Sequence, residues 1–204
     1  MRASYIALYF LFILGAVMFV DNPAMAADYF PLPKGASWEY RDTNGRINKV
    51  EVVGPKNIDG RSAIYVRDQS GEYRYYIKTT NSIVLYDSSF MVFGDDYLIL
   101  RIPPKKGEEY KVGGGVGTVV TIIDTTATVK VPAGVFKNCV VKKMYGPAAS
   151  DTAKKLTGGK VDAVYVIDYF APDVGLIKSE KLFSKGTIEI NREILKELVK
   201  YKVP

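Results

Sequence analysis

The chain contains no histidine, and that absence removes more chemistry than any single motif supplies. Ser-His-Asp and Cys-His nucleophilic machinery is excluded, and so are His-ligated zinc, copper and haem iron. Cysteine is nearly absent as well. Cys139 stands alone, so no internal disulfide can form, and within Phe136-Lys-Asn-Cys-Val-Val it reads as a small buried hydrophobe. No cysteine follows the apolar N-terminal run, so the lipid-attachment signal of bacterial lipoproteins is missing. Blocks of like charge are lacking too. The net charge is +6, yet basic and acidic residues alternate, with Lys105-Lys106, Lys142-Lys143 and Lys154-Lys155 the only local lysine pairs. A nucleic-acid partner is therefore not expected, while peripheral contact with an anionic membrane surface stays open.

What is present begins with the first 26 residues. Arg2 gives a positive start, Tyr5 to Val20 is an unbroken apolar run, and Ala24-Met25-Ala26 is a small-x-small cleavage site. The run is shorter than the roughly 20 residues that span a bilayer comfortably, and Asp21, Asn22 and Pro23 interrupt it. The expectation is a cleaved signal peptide (1–26) and an extracytoplasmic product, periplasmic or secreted. The remaining residues, 27–204, suit one domain with a core of its own.

Nearly every segment beyond residue 40 reads as a strand. Runs at Val50, Ala63, Tyr73, Ser82, Tyr97, Gly117, Thr128, Cys139, Ala163 and Gly175 are short and rich in β-branched or aromatic residues. Asn44-Gly45, Asp59-Gly60 and Ser70-Gly71 between them are hairpin signals. Ala148 to Gly159 is polar and rich in small residues, and predicts a long loop or short helix. The tail from Ile188 fits either a helix or a final strand, with the strand favoured.

An internal echo organises these elements. Pro31-Leu-Pro-Lys-Gly-Ala-Ser-Trp-Glu-Tyr matches Pro103-Pro-Lys-Lys-Gly-Glu-Glu-Tyr in the order Pro, Lys-Gly, aromatic. Asp59-Gly60 to Val66 returns loosely as Ala133-Gly134 to Val140, and Tyr75-Tyr76 before Ile83 returns as Tyr169-Phe170 before Leu176. The prediction is an all-β domain with a single strongly curved antiparallel sheet, a half-barrel or open barrel of about ten strands. It is built from two similar halves, about 29–98 and 99–187, followed by 188–204 as a C-terminal strand or helix.

The candidate chemistry is thin. Asp95-Asp96 follows a glycine, but calcium needs about six oxygens and no spaced acidic run supplies them. Lys178 and Ser179 are strand neighbours and point to opposite faces, so the lysine cannot easily activate the serine. Gly113-Gly-Gly-Val-Gly117 precedes a strand, whereas a phosphate loop needs a helix. No catalytic residue, metal ligand or cofactor is expected. Alternation puts Tyr165, Ile167 and Tyr169 on one face, with Val164, Val166, Asp168 and Phe170 on the other. Tyr75, Tyr86, Tyr165 and Tyr169 are the candidate ligand-facing aromatics of a concave sheet.

Three motifs carry a family resemblance: Tyr29-Phe-Pro-Leu-Pro-Lys-Gly-Ala-Ser-Trp-Glu-Tyr, Val129-Lys-Val-Pro-Ala-Gly-Val-Phe-Lys-Asn-Cys and Tyr169-Phe-Ala-Pro-Asp-Val-Gly-Leu-Ile-Lys-Ser-Glu. Together they resemble a group of uncharacterised β-rich exported proteins of bacteria, mostly lipoproteins. The chain departs from that group in lacking the lipid-bearing cysteine and in having Asp173 where glycine is commoner. The resemblance implies an extracytoplasmic β domain and brings no catalytic residues. By shape alone the curved sheet is similar to the half-barrels of lipoprotein carriers, an analogy that assigns no ligand. The reading that follows is a non-catalytic binding or carrier protein for an apolar ligand or an envelope component. One alternative is an assembly factor pairing with an envelope protein through a sheet edge. Another is a carboxylate-based hydrolase of envelope polymer, which needs two carboxylates facing one cleft.

Overall fold

The computed structural model describes residues 27–86, 97–112 and 117–204; the signal-like segment, Asp95-Asp96 and residues 113–116 lie outside them. The strands are β1 (Ser37–Asp42), β2 (Ile47–Ile58), β3 (Arg61–Asp68), β4 (Tyr73–Lys78), β5 (Ser82–Tyr86), β6 (Tyr97–Arg101), β7 (Glu109–Val112), β8 (Thr118–Val131), β9 (Gly134–Tyr145), β10 (Ala163–Ala171), β11 (Gly175–Lys185) and β12 (Ile188–Lys202). One helix, α1 (Pro147–Leu156), joins β9 to β10. The polar stretch from Ala148 is thus largely helical, and Ser150 fixes it: its hydroxyl donates to Gly146 O and accepts from Val164 N of β10. None of the described helices is long and apolar enough to cross a membrane.

All strands join one antiparallel sheet in the order β6-β5-β4-β3-β2-β1-β12-β11-β10-β9-β8-β7. Each strand pairs with a chain neighbour, and the first and last strands pair with each other from Ser37↔Lys202 to Asp42↔Lys196. The two sheet edges, β6 and β7, are consecutive in the chain. The sheet is therefore an up-and-down barrel sealed at β1–β12 and interrupted at the β6–β7 joint. Arg101 lies across that joint, with its guanidinium 3.1 Å from Glu108 and over the Tyr110 ring.

The curved antiparallel sheet expected from the sequence is present, with twelve strands rather than ten. Two of the expected strands, at Gly117 and Thr128, are one strand, β8, bent by successive bulges around Asp124. The Asp124 carboxylate causes the bend, accepting hydrogen bonds from the N–H groups of Thr125 and Thr126. β1 and β7, too short to stand out in the sequence, and the tail strand β12 make up the count. The chain divides at the β6–β7 joint into β1–β6 and β7–β12, so the tail completes the second set of six.

The first echo recurs in the backbone. Gly35 N–H donates to Val52 O, Ala36 N–H to Pro33 O, and Val52 N–H to Ala36 O. In the second half Gly107 N–H donates to Ile122 O, Glu108 N–H to Lys105 O, and Ile122 N–H to Glu108 O. Both glycines sit at nearly the same positive φ, 84° and 82°, which L-residues avoid. Each turn delivers a buried aromatic, Trp38 or Tyr110, into the strand that follows.

Because strands alternate in direction, the ends of the barrel differ. One end, the base, collects the β2–β3, β4–β5, β8–β9 and β10–β11 turns, and the N-terminal segment lies across it. Asp28 and Asp173 exchange two bonds there, Asp28 N–H to Asp173 Oδ1 and Asp173 N–H to Asp28 O. Asp173 occupies φ 59°, so a glycine would be unstrained, but a glycine could not make the first bond. Phe30 then enters the interior, its ring 5.1 Å from Tyr76 and 6.2 Å from Phe170. The β1–β2 and β3–β4 turns lie at the other end.

On the outer surface Glu180 is buried and ties three strands together. It accepts from Tyr169 of β10 at 2.6 Å and pairs with Lys178 at 2.6 Å and Arg192 of β12 at 2.9 Å. Burial alone would raise its pKa, but these donors outweigh it and hold the carboxyl below the ordinary glutamate value. A depressed folded-state pKa adds stability that is complete above the ordinary value and lost as pH falls through the lowered one. Urea midpoints measured on the acid side of pH 4.5 should therefore fall with pH in the wild type and fall less steeply in Glu180→Gln. Replacing Gly35 or Gly107 with Ala should each cost about 1–2 kcal/mol in the same assay, because both force a side chain into the left-handed region.

Candidate functional site

The barrel encloses a cavity of about 220 Å³. Its floor is Phe30, Pro31 and Leu32, and its walls include Trp38 and Tyr40 of β1, Tyr76 of β4, Leu85 of β5, Tyr97 and Ile99 of β6, Met144 of β9 and Phe170 of β10. A second hollow of about 190 Å³ shares Tyr40, Tyr76, Arg74 and Lys196 with it and is also lined by Asp42 and Asp68, where the β1–β2 and β3–β4 turns begin. The shared residues form a neck, and the second hollow is a vestibule above it.

The aromatic walls are held by their polar tips. Trp38 Nε1 donates to Val174 O at 2.7 Å, and Tyr40 Oη donates to Leu176 O at 2.8 Å. Tyr97 Oη lies 3.3 Å from Met144 Sδ, bridging β6 and β9 across the interior. Burial pushes the phenols of Tyr40, Tyr76 and Tyr97 above the ordinary tyrosine pKa, so all three are neutral.

A row of polar side chains crosses this apolar interior. Strand register makes Lys142 of β9 the partner of Asp168 of β10, Asp168 the partner of Ser179 of β11, and Ser179 the partner of Lys196 of β12. Lys142 is 2% exposed, and a cation so buried needs its donors satisfied. They are: Nζ lies 3.1 Å from Asp168 Oδ2 and donates to Ile99 O at 3.2 Å, with the Phe170 ring 5.3 Å away. Ile99 is the bulged residue of β6, between Leu98↔Val84 and Leu100↔Ile83, so its carbonyl is spare. Asp168 Oδ1 accepts from Ser179 Oγ at 2.7 Å.

Lys196 is the unmatched member of the row. Its ammonium stands 5.1 Å from the centre of the Tyr40 ring, and no oxygen among the described residues lies within hydrogen-bond reach. Burial lowers its pKa, and nearby Arg74 and Lys142 lower it further; Asp168 opposes them. The cavity lining thus carries three cations and a single carboxylate.

None of Tyr75, Tyr86, Tyr165 and Tyr169 is among the cavity-lining residues. Tyr75 stacks with Tyr65, Tyr86 bonds Asp59, Tyr165 packs with Tyr145 and Tyr169 bonds Glu180. Their strand neighbours Tyr76, Leu85 and Phe170 line the cavity instead. The polar row, which the sequence reading passed over, had one visible signal: Asp168 is the sole charge on an otherwise apolar strand. Cys139 is buried as expected, and burial pushes its thiol up to about 11. No cluster of three or more Asp, Glu or Cys side chains able to hold a metal lies among the described residues.

Among known proteins, no family model matches the chain and no curated protein matches it. Two solved structures align over 87% of it. One is a Bacteroides fragilis protein inferred to be exported and assigned a YmcC-like fold, with 16% identity, TM-score 0.46 and its whole chain covered. The other is a protein of Parabacteroides distasonis inferred to be a lipoprotein, with 15% identity, TM-score 0.47 and 99% of its chain covered. At that distance neither assigns a ligand or an activity to this chain.

The interior row makes a sharp stability prediction. Lys142→Met leaves Asp168 buried without its cation and should cost about 3–5 kcal/mol. The double variant Lys142→Met/Asp168→Asn, which leaves no unpaired charge at that pair, should recover most of the loss in urea denaturation.

Proposed function

We propose that this is an exported, non-catalytic binding protein that holds a small, largely apolar ligand inside its barrel. The observation that carries the reading is the cavity, walled by aromatic and aliphatic side chains with few polar groups, as ligand sites usually are. Its size limits the occupant. About 220 Å³ is roughly seven waters' share of the liquid, below the 300 Å³ at which sites for drug-sized molecules begin. One alkyl chain or one small aromatic molecule of two linked ring systems fits, and a three-chain lipoprotein anchor does not. Export rests on the N-terminal sequence, with its positive start, apolar run and Ala-x-Ala site.

The unpaired edges of β6 and β7 support a second reading, strand addition by an envelope protein at the open joint. The hydrolase reading draws no support from the cavity, where Asp168 is the one carboxylate and is already ion-paired.

The neutral dye N-phenyl-1-naphthylamine tests the first reading. Its fluorescence should rise on binding the purified protein and saturate at one dye per chain. Leu85→Trp, which fills the cavity, should abolish that rise while leaving the far-UV circular dichroism unchanged. A wild-type protein that gives no rise, or a Leu85→Trp variant that binds equally well, would count against a ligand inside the barrel.

A further inference from the structure

We infer that the cavity's occupant is a single-chain amphiphile with an anionic head group, seated against Lys196 and Arg74 at the neck; this rests on the reading of the barrel as a binding module. Lys196 is a cation without a bonded partner where the cavity meets the vestibule. Of the four charged residues lining the cavity, Lys142 and Asp168 satisfy each other. Of the other two, Arg74 is exposed, donates to Tyr76 and feels the Asp68 carboxylate, whereas Lys196 forms no ion pair or hydrogen bond among the described residues. A half-buried ammonium beside two other cations is costly; Asp168 offsets part of that cost, and an added negative charge would offset more.

Among the described residues no carboxylate comes within hydrogen-bond reach of Lys196. Asp168, the nearest acid along the row, already holds Lys142 and the Ser179 hydroxyl. Asp42 is the register partner of Lys196 across β1–β12, yet its Oδ1 is turned away to accept from Asn44 N–H and Arg46 N–H. Asp68, in the vestibule, likewise caps its own turn through Ser70 and Glu72 N–H. Asp42 and Asp68 serve the turns and Glu72 lines the vestibule, yet none of the three bonds Lys196, whose ammonium faces the space between cavity and vestibule.

Position fixes how that ligand lies. Lys196 and Arg74 line both hollows, so the head group sits where cavity meets vestibule. Below them the walls are mainly apolar down to Phe30, and the polar groups there, Lys142, Asp168 and Ser179, bond one another, which leaves the chain a path toward the base. An anionic head group with one alkyl tail satisfies the charges and the volume together. Carboxylate and phosphate head groups share this chemistry, and both are compact enough to reach a lysine and an arginine at once.

Displacement of N-phenyl-1-naphthylamine by decanoate, n-decyl phosphate and 1-decanol tests the assignment at equal chain length. Decanoate or decyl phosphate should displace the dye at a concentration at least about tenfold lower than decanol, a charge-assisted contact being the difference; the tighter of the two anions identifies the head group. Lys196→Met should weaken anion binding about tenfold and leave decanol unchanged, while Lys196→Arg keeps the preference. Arg74→Gln, at an exposed position that the fold tolerates, should weaken it about threefold and stands in if Lys196→Met fails to fold. Equal displacement by the alcohol and both anions, or an anion preference that survives Lys196→Met and Arg74→Gln, would overturn the head-group assignment with the cavity reading intact. Failure of the dye itself to bind would remove the cavity reading instead.

Discussion

Everything inside this protein depends on the hydrogen bonding of its first strand to its last. Ten strand pairings between chain neighbours would produce two separate twisted ribbons, and twist alone does not bring their ends together. The β1–β12 ladder joins residues more than 150 positions apart, from Ser37↔Lys202 to Asp42↔Lys196, and so turns two six-strand ribbons into one enclosure. That contact is entropically expensive to form because of its sequence separation. Its reward is the burial of Trp38, Tyr40 and Leu198 on the inner side, with Trp38 and Tyr40 donating to Val174 and Leu176 of the neighbouring half.

The interior so formed is not uniformly oily. Lys142, Asp168 and Ser179 would be costly in isolation, and each is tolerated because register supplies its partner directly across the ladder. The same lysine reaches the bulge carbonyl of Ile99 and so links β9 to β6, next to the joint that the ladders leave open. The Arg101–Glu108 pair and the Arg101–Tyr110 contact lie across the joint itself. Side chains thereby supply, between β6 and β7, some of the cohesion that backbone supplies between β1 and β12.

Much of this architecture is legible in the sequence because its causes are local. β-branched and aromatic runs, Asn-Gly and Asp-Gly turns and the repeated Pro…Lys-Gly-aromatic phrase each act over a few residues. The hydrogen bonds at Gly35 and Gly107 show that phrase doing the same job twice. What was not legible depends on distant partners. Alternation separates Tyr75 from Tyr76 and Tyr169 from Phe170 onto opposite faces, but the direction of curvature decides which face becomes the inside. Both faces of β10 are largely apolar, so composition alone could not choose. The polar row is harder still, since Lys142, Asp168, Ser179 and Lys196 sit on four strands. Bulges such as the one between Ser179 and Glu180 shift the pairing that aligns them. Bulges also hid the length of β8, which a local reading splits in two at Asp124.

The N-terminal segment is fastened to the base by the Asp28–Asp173 pair, and the neck formed by Lys196 and Arg74 lies beyond the cavity from it. Any stalk joined ahead of Ala27 would leave from the sealed pole of the molecule. The neck between cavity and vestibule would then face away from whatever surface held that stalk.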